Sequence, residues 1–225
     1  MKRWRLQRRR RKVAQSAPTP MAELARAPLP DAHARAGDVT FVCLDIETSG
    51  LDVQAAELLS VGWVEVQDGR IPANSARCLL AQPDGEVGES ATVHGLTDTA
   101  VSRGQPLDAV IEAVVAALTG RVLVVHHAGL DKALLDRLCR TRYGHALPVP
   151  VLDTLALAHA RRQRQHHVAG AGSLRLPDLR ADYGLPRYQA HDCLVDALAT
   201  AELLLAMLAH DGRGPDTPIW PWLTL

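Results

Sequence analysis

Residues 121–144 read RVLVVHHAGLDKALLDRLCRTRYG, an apolar run that passes directly into a segment of helical pattern. Val122 to Val125 is short, unbroken and mostly β-branched, as suits a strand buried on both faces. From Asp131 onward the apolar residues recur at helical spacing, and Gly144 supplies a natural stop. A strand feeding straight into a helix is the repeating unit of an α/β sheet.

The same logic extends in both directions. TFVCLDIET at 40–48 reads as a buried strand, and VPVLDT at 149–154 as a shorter one. Residues 57–83, ELLSVGWVEVQDGRIPANSARCLLAQP, read as a hairpin turning at Asp68-Gly69. PLDAVIEAVVAAL at 106–118 has helical spacing with Pro at its start. Two closing helices are expected, one over 173–183 with Ser173 as its cap and one over 192–208. The fold class is therefore α/β, a mixed five-stranded sheet with helices on both faces.

Composition bounds the alternatives. With 225 residues, 47% of them hydrophobic, one domain with tails is expected. A single Phe and three Tyr leave its core to Leu, Val, Ala and Ile. No apolar run approaches the ~18 residues of a membrane span, so no membrane partner is expected. Cys43, Cys78, Cys139 and Cys193 are widely spread with no CxxC pair. That argues against a disulfide framework or zinc site and for a reducing, cytoplasmic setting.

The net charge of zero hides an asymmetry. Residues 1–12 hold eight of the 25 basic residues and no acid, and the remaining 17 face 25 acids, a net of −8. Residues 1–37 are expected to be a disordered basic arm and Pro/Ala-rich linker, 38–210 the folded domain, and 211–225 a Pro/Trp tail. The arm reads as a nucleic-acid contact, a solvated tail or a transit peptide. The tail reads as a strand-like segment packed on the domain or as a partner anchor bearing Trp220 and Trp222.

Five residues carry the chemistry. Asp45 and Glu47 are two apart on a strand and share one face. Asp131 follows a buried strand, at the edge where open α/β sheets bind ligands. Asp196 sits in a helix of Ala and Leu, where an acid is costly unless paired or metal-bound. His191 lies five residues earlier, about 140° around a helix, so it belongs to the preceding loop or first turn. Four carboxylates and an imidazole are the set that a two-metal phosphodiesterase needs. Asp153 has the setting of an ordinary helix N-terminal acid interacting with the dipole.

Taken together the motifs resemble the DEDD exonucleases of RNase H-like fold, in the histidine (DnaQ-like) branch that includes the proofreading epsilon subunit of DNA polymerase III. FVCLDIETSGLD at 41–52 is similar to the first motif, D-x-E-T-[ST]-G. VVHHAGLDKALLDRL at 124–138 is similar to the second, and HDCLVDALATAELL at 191–204 to the third, H-x4-D-A. EVGESATVHGLTD at 86–98 resembles the family loop that often reads I-H-G-I-T. The resemblance implies that Asp45, Glu47 and Asp196 bind one divalent cation, Mg²⁺ or Mn²⁺, with Asp45 bridging to a second. It implies that Asp131 holds metal or its waters and that His191 is the general base. It further implies that Thr48, Glu89 and His94 lie near the terminal nucleotide, with Leu51 as an apolar wedge.

The departures are modest. His127 replaces the usual Asn of the second motif, and Leu130 the usual Phe. His126 and His127 do not make a zinc pair, because adjacent strand residues point to opposite faces. Tyr188 and Asp192 match the Tyr-x3-Asp spacing of a sister branch, but the helix that follows Asp196 favours His191 with Asp196. The expected partner is a nucleic acid 3′ end, single-stranded DNA before RNA, with RNA-directed cleavage or non-catalytic binding as alternatives. The short tail favours a stand-alone exonuclease, and the sequence does not indicate polymerase association.

Overall fold

The computed structural model describes residues 2–82, 104–164, 173–189 and 191–224. Strand β1 (Phe41–Thr48) is its hub: it pairs antiparallel with β2 (Leu58–Val66) and parallel with β5 (Val122–Val125). Outward from β2 lie β3 (Arg77–Gln82) and β4 (Gln105–Pro106); outward from β5 lie β6 (Val151–Asp153) and β7 (Leu223–Thr224). The order is β4-β3-β2-β1-β5-β6-β7. The sheet thus has seven strands where five were expected. The two extra strands, β4 and β7, are two residues each, too short to leave an alternating pattern in sequence.

Alternation along β1 assigns its two faces. Val42, Leu44 and Ile46 pack against α1 (Lys2–Ser16), α2 (Met21–Arg26), α3 (Leu107–Leu118) and α4 (Asp131–Tyr143). Phe41 and Cys43 face α7 (Cys193–His210) and the C-terminal segment. Outside α7 lie α5 (Thr154–Arg164) and α6 (Leu176–Asp182). Asp45 and Glu47 share the parity of Phe41 and Cys43, so they point to the α7 side.

Several expectations hold. The Asp68-Gly69 turn has positive φ at both residues (50° and 71°), and α4 ends on Gly144 at φ 72°. Others need correction. The helix expected from Ser173 starts at Leu176, and Ser173 Oγ instead accepts the Arg175 N–H at 3.1 Å. Helix α5 follows β6 without a breaker between them, which hid it. Helix α7 is long and apolar enough, by length and composition, to cross a membrane, contrary to the expectation that no run approaches that size. Half of it is buried in this fold, with Ala197, Leu203 and Leu204 fully enclosed.

The ends of the chain also differ from expectation. Residues 2–26, expected to be disordered, form α1 and α2. The reason is helical periodicity inside the basic run: Leu6, Arg10 and Val13 fall on one buried face. Arg10, 4% exposed, donates to the carbonyls of Leu24 and Ala27, each at 2.5 Å, and to those of Ala25 and Pro148, each at 3.3 Å. It thereby satisfies the open C-terminal end of α2. The tail packs as a strand: β7 pairs with β6, and Trp220 Nε1 donates to Asp31 O at 2.6 Å.

Arg10→Ala removes four donors and leaves buried carbonyls unpaired. The expected loss is about 2–4 kcal/mol. Arg10→Lys should recover little, since an ammonium cannot fan out to four carbonyls. The check is the urea midpoint of each variant at constant m; an unchanged midpoint would show that α1 does not depend on this anchor.

Candidate active site

Three carboxylates converge where β1 meets the first turn of α7. One oxygen each from Asp45, Glu47 and Asp196 lies within 4.8 Å of the others. Asp45 and Glu47 come from alternate positions of β1, and the β1–β2 register shifts between Glu47 and Thr48, at the rim of the site. Asp196 reaches them because α7 rests on bare backbone. Gly62 pairs with Asp45 across the sheet, and a Cβ on Gly62 would fall 2.5 Å from the backbone of Cys193 and Leu194.

Asp131 arrives by another route. It is the first residue of α4, at the carboxyl end of β5, and is 5% exposed. It stands outside the tight group of three, yet among neighbouring charges it acts most strongly on Asp45. Its loop is fixed by Asp153, whose Oδ2 accepts the Ala128 N–H at 3.0 Å. Asp153 Oδ1 accepts the N–H groups of Leu155 and Ala156, so one buried side chain caps α5 and holds the approach to Asp131. The sequence placed Asp153 among ordinary helix N-terminal acids; its bond to Ala128 needs the tertiary neighbour.

His191 lies just before α7, exposed, with φ 72°, a left-handed conformation that His enters more readily than most residues. Its N–H donates to Asp196 Oδ2 at 3.0 Å. Asp192 is the N-cap, its Oδ1 accepting from Leu194 and Val195. Tyr188 points elsewhere: its hydroxyl donates to Glu202 and its ring lies against the Arg180 guanidinium, 4.6 Å from the ring centroid. Asp196, rather than Asp192, joins the carboxylate group.

Of the other expected positions, buried Thr48 donates its hydroxyl to Gly50 O at 2.7 Å and so shapes the loop that leaves β1. Leu51 on that loop is 83% exposed. Glu89 and His94 lie outside the described residues. His126 is held between Thr154 Oγ1 (2.8 Å) and Leu174 O (2.9 Å), which accounts for it without a metal.

The electrostatics are those of crowded acids. Burial, then the charges of Asp131, Asp196 and Glu47, raises Asp45 well above the usual carboxylate range. Burial, then Asp196 and Asp192, raises Glu47 to about 7. Burial raises Asp131 to about 8 and pushes Asp196 upward, with the His191 N–H pulling Asp196 the other way. Hard oxygen donors this close fit a divalent cation such as Mg²⁺ or Mn²⁺, whose charge would relieve the repulsion.

Comparison with known proteins agrees with this arrangement. The sequence profile of a family described as Exonuclease (RNase_T) matches residues 42–204. The chain is 31% identical over 185 residues to a DNA polymerase III subunit epsilon-like protein of Rhodobacter capsulatus, covering 80% of this chain and 25% of that one. It is 30% identical over 170 residues to a PolC-type DNA polymerase III of Thermotoga maritima, covering 75% of this chain and only 12% of the polymerase. The DNA polymerase III subunit epsilon of Aquifex aeolicus is 26% identical over 173 residues, covering 76% of this chain and 81% of that subunit. Among solved structures, the zinc-bound form of E. coli exonuclease I with single-stranded DNA superposes with a TM-score of 0.66 at 16% identity, covering 78% of this chain and 41% of that one. Cell-death related nuclease 4 superposes with a TM-score of 0.65 at 14% identity, covering 82% of this chain and 66% of that one. The fold is RNase H-like.

The raised acids set a pH dependence. In the folded, metal-free protein each keeps its proton at pH values where the unfolded chain has released it. Their contribution to stability is complete below about pH 4 and is lost as pH rises through about 7 and 8. A cation needs the ionised forms, so its affinity rises over the same window. The gap in melting temperature between Mn²⁺-loaded and EDTA-treated protein should therefore widen from about pH 5.5 to about pH 8.5. Asp131→Asn should flatten the EDTA-treated curve. An equal gap at both pH values would remove these carboxylates as the cation site.

Proposed function

The chain belongs to the exonuclease family, and on that premise we propose that it is a metal-dependent 3′–5′ exonuclease that releases 5′-mononucleotides from single-stranded DNA. The observation that carries this reading is the convergence of Asp45, Glu47 and Asp196 within 4.8 Å beside buried Asp131. In this reading Asp45, Glu47 and Asp196 would hold a divalent cation, and Asp131 would hold a second metal or its waters. Bound there, such ions would supply polarisation of the phosphodiester and a lowered pKa for the attacking water.

The protein's own groups do the rest. His191, exposed and tied through its backbone N–H to Asp196, takes the proton from the attacking water in this reading. The residue lies just ahead of the helix, exposed and with left-handed backbone. Leu51 offers an apolar face to the terminal base, presented by the loop that Thr48 braces. The polymerase settings of the relatives belong to their whole chains, and this reading concerns the nuclease activity alone.

The exposed cations of α1 extend the reading to the rest of the strand. Arg5 and Arg9 line a cavity of about 520 Å³ whose far wall includes Ala128, Gly129 and Lys132, the segment on either side of Asp131. A strand whose 3′ end lies among the carboxylates could lay its backbone phosphates along this edge.

The decisive assay offers 3′-single-stranded DNA, matched RNA and a dinucleotide with Mg²⁺, Mn²⁺ or EDTA. DNA should be degraded from its 3′ end with either metal and not with EDTA. Loss of a partner behind a metal ligand already costs roughly 10–100-fold, so Asp45→Ala should cost at least about 100-fold. Preference for RNA or the dinucleotide would make the enzyme an exoribonuclease; binding without cleavage would make it a non-catalytic module. In the same system, Arg5→Ala with Arg9→Ala should reduce the salt slope of DNA binding by about 1.4, at about 0.7 per phosphate contact on single strands. An unchanged slope would take α1 out of substrate capture.

A further inference from the structure

Cys78 and Cys193 are 115 positions apart in sequence, yet their Sγ atoms are 3.5 Å apart. Cys78 is exposed on β3, and Cys193 is buried in the first turn of α7. The strand between them makes the contact. Cys78 is in register with Gly62 on β2, and Gly62 is where the backbone of Cys193 rests. With no side chain at Gly62, a thiol on the helix meets a thiol on β3 across β2.

The other two cysteines are of a different kind. Cys43 and Cys139 are buried, and burial pushes both thiols up, Cys139 to about 12. The Cys78 thiol is held down to about 7, chiefly by its hydrogen bond with Cys193, whose own thiol is pushed up. One member of the pair is an accessible nucleophile and the other a sheltered partner beside it.

We propose that Cys78 and Cys193 are a peroxide-oxidised disulfide site that clamps the first turn of the Asp196-bearing helix to the sheet. The oxidant is a hydroperoxide, with hydrogen peroxide as the simplest case. The Cys78 thiolate attacks one peroxide oxygen; an S–O bond forms, the O–O bond breaks, and the departing hydroxide takes up a proton as water. Sulfur is oxidised by two electrons to a sulfenic acid, and the peroxide is reduced. The Cys193 sulfur then attacks Cys78; the S–S bond forms, the S–O bond breaks, and the hydroxide leaves with the Cys193 proton as a second water. Two thiols and one peroxide become one disulfide and two waters.

The bond requires a sulfur separation of about 2.05 Å, so the contact must close by about 1.5 Å. Cys193 lies between His191 and Asp196, so the share of that movement taken up by the helix falls on the turn that brings Asp196 to Asp45 and Glu47. Its effect on turnover rests on the nuclease reading above; the cross-link and its effect on cation binding do not.

The test treats the full chain with hydrogen peroxide, alkylates free thiols and maps peptides by mass. The expected product is a Cys78–Cys193 cross-linked peptide that dithiothreitol reverses and Cys78→Ser abolishes, with Cys43 and Cys139 still alkylated after denaturation. Oxidation should also shrink the Mn²⁺-induced rise in melting temperature in the wild type and not in Cys78→Ser. Nuclease turnover should fall by about tenfold or more, given that an ångström of misplacement can cost about 100-fold. Absence of the cross-link overturns the site, and a cross-link that leaves the cation-induced shift unchanged overturns the clamp. A reduced wild type with no nuclease activity would sink the nuclease reading, while the mass map and the melting shift still decide this one.

Discussion

The approach of α7 to the sheet at Gly62 is the constraint on which the rest of the structure depends. A helix normally stands off a sheet by the length of the side chains between them. Here the backbone of Cys193 and Leu194 lies where a Cβ of residue 62 would be. Since Gly62 is the cross-strand partner of Asp45, the closest contact of helix and sheet is also the point where the first carboxylate emerges. Asp196, one turn further along α7, then falls beside Asp45 and Glu47 without further adjustment.

Such closeness carries an electrostatic cost that the surroundings are arranged to bear. The four acids all rise above their ordinary range, first through burial. What holds them together is backbone fixed from outside the group. Asp153 bonds three N–H groups around the entry to α4 and α5, and Asp192 bonds two at the start of α7. Arg180, 2% exposed, joins α6 to α7 through Ala199 O at 2.6 Å and Glu202 Oε2 at 2.7 Å. Removing Glu202 would leave the buried Arg180 guanidinium without its ion pair, so α6 is bound to the helix that carries Asp196. Preorganisation here consists of rigid main chain aiming carboxylates that repel one another.

Much of this was legible in the sequence because it depends on local periodicity. Alternation in TFVCLDIET put Asp45 and Glu47 on one face, and the strand-to-helix passage at 121–144 located Asp131 at a strand end. The five-residue spacing placed His191 ahead of the helix, where its φ of 72° now sets it. What escaped depends on distant neighbours. Nothing near Gly62 in the sequence announces the helix resting on it, and Asp153 showed its place at a helix start but not its bond to Ala128. The spacing of the cysteines argued against pairing because it counts residues along the chain, whereas β2 and Gly62 bring Cys78 and Cys193 together through space.

The basic segment at the start of the chain shows the same limit from the opposite side. Eight cations in residues 1–12 look like a solvated run when only charge is counted. A helix divides them by angle, and the division is unequal. Leu6, Arg10 and Val13 turn inward, where Arg10 closes the end of α2, while Arg5 and Arg9 remain exposed along the cavity beside Asp131. An inward guanidinium in place of an aliphatic residue fits this position because the surface it meets is a set of unpaired carbonyls, not a hydrocarbon layer. The buried arginine therefore sets the orientation in which the exposed ones line this cavity. Their position along that cavity is a consequence of helix geometry together with one desolvated anchor.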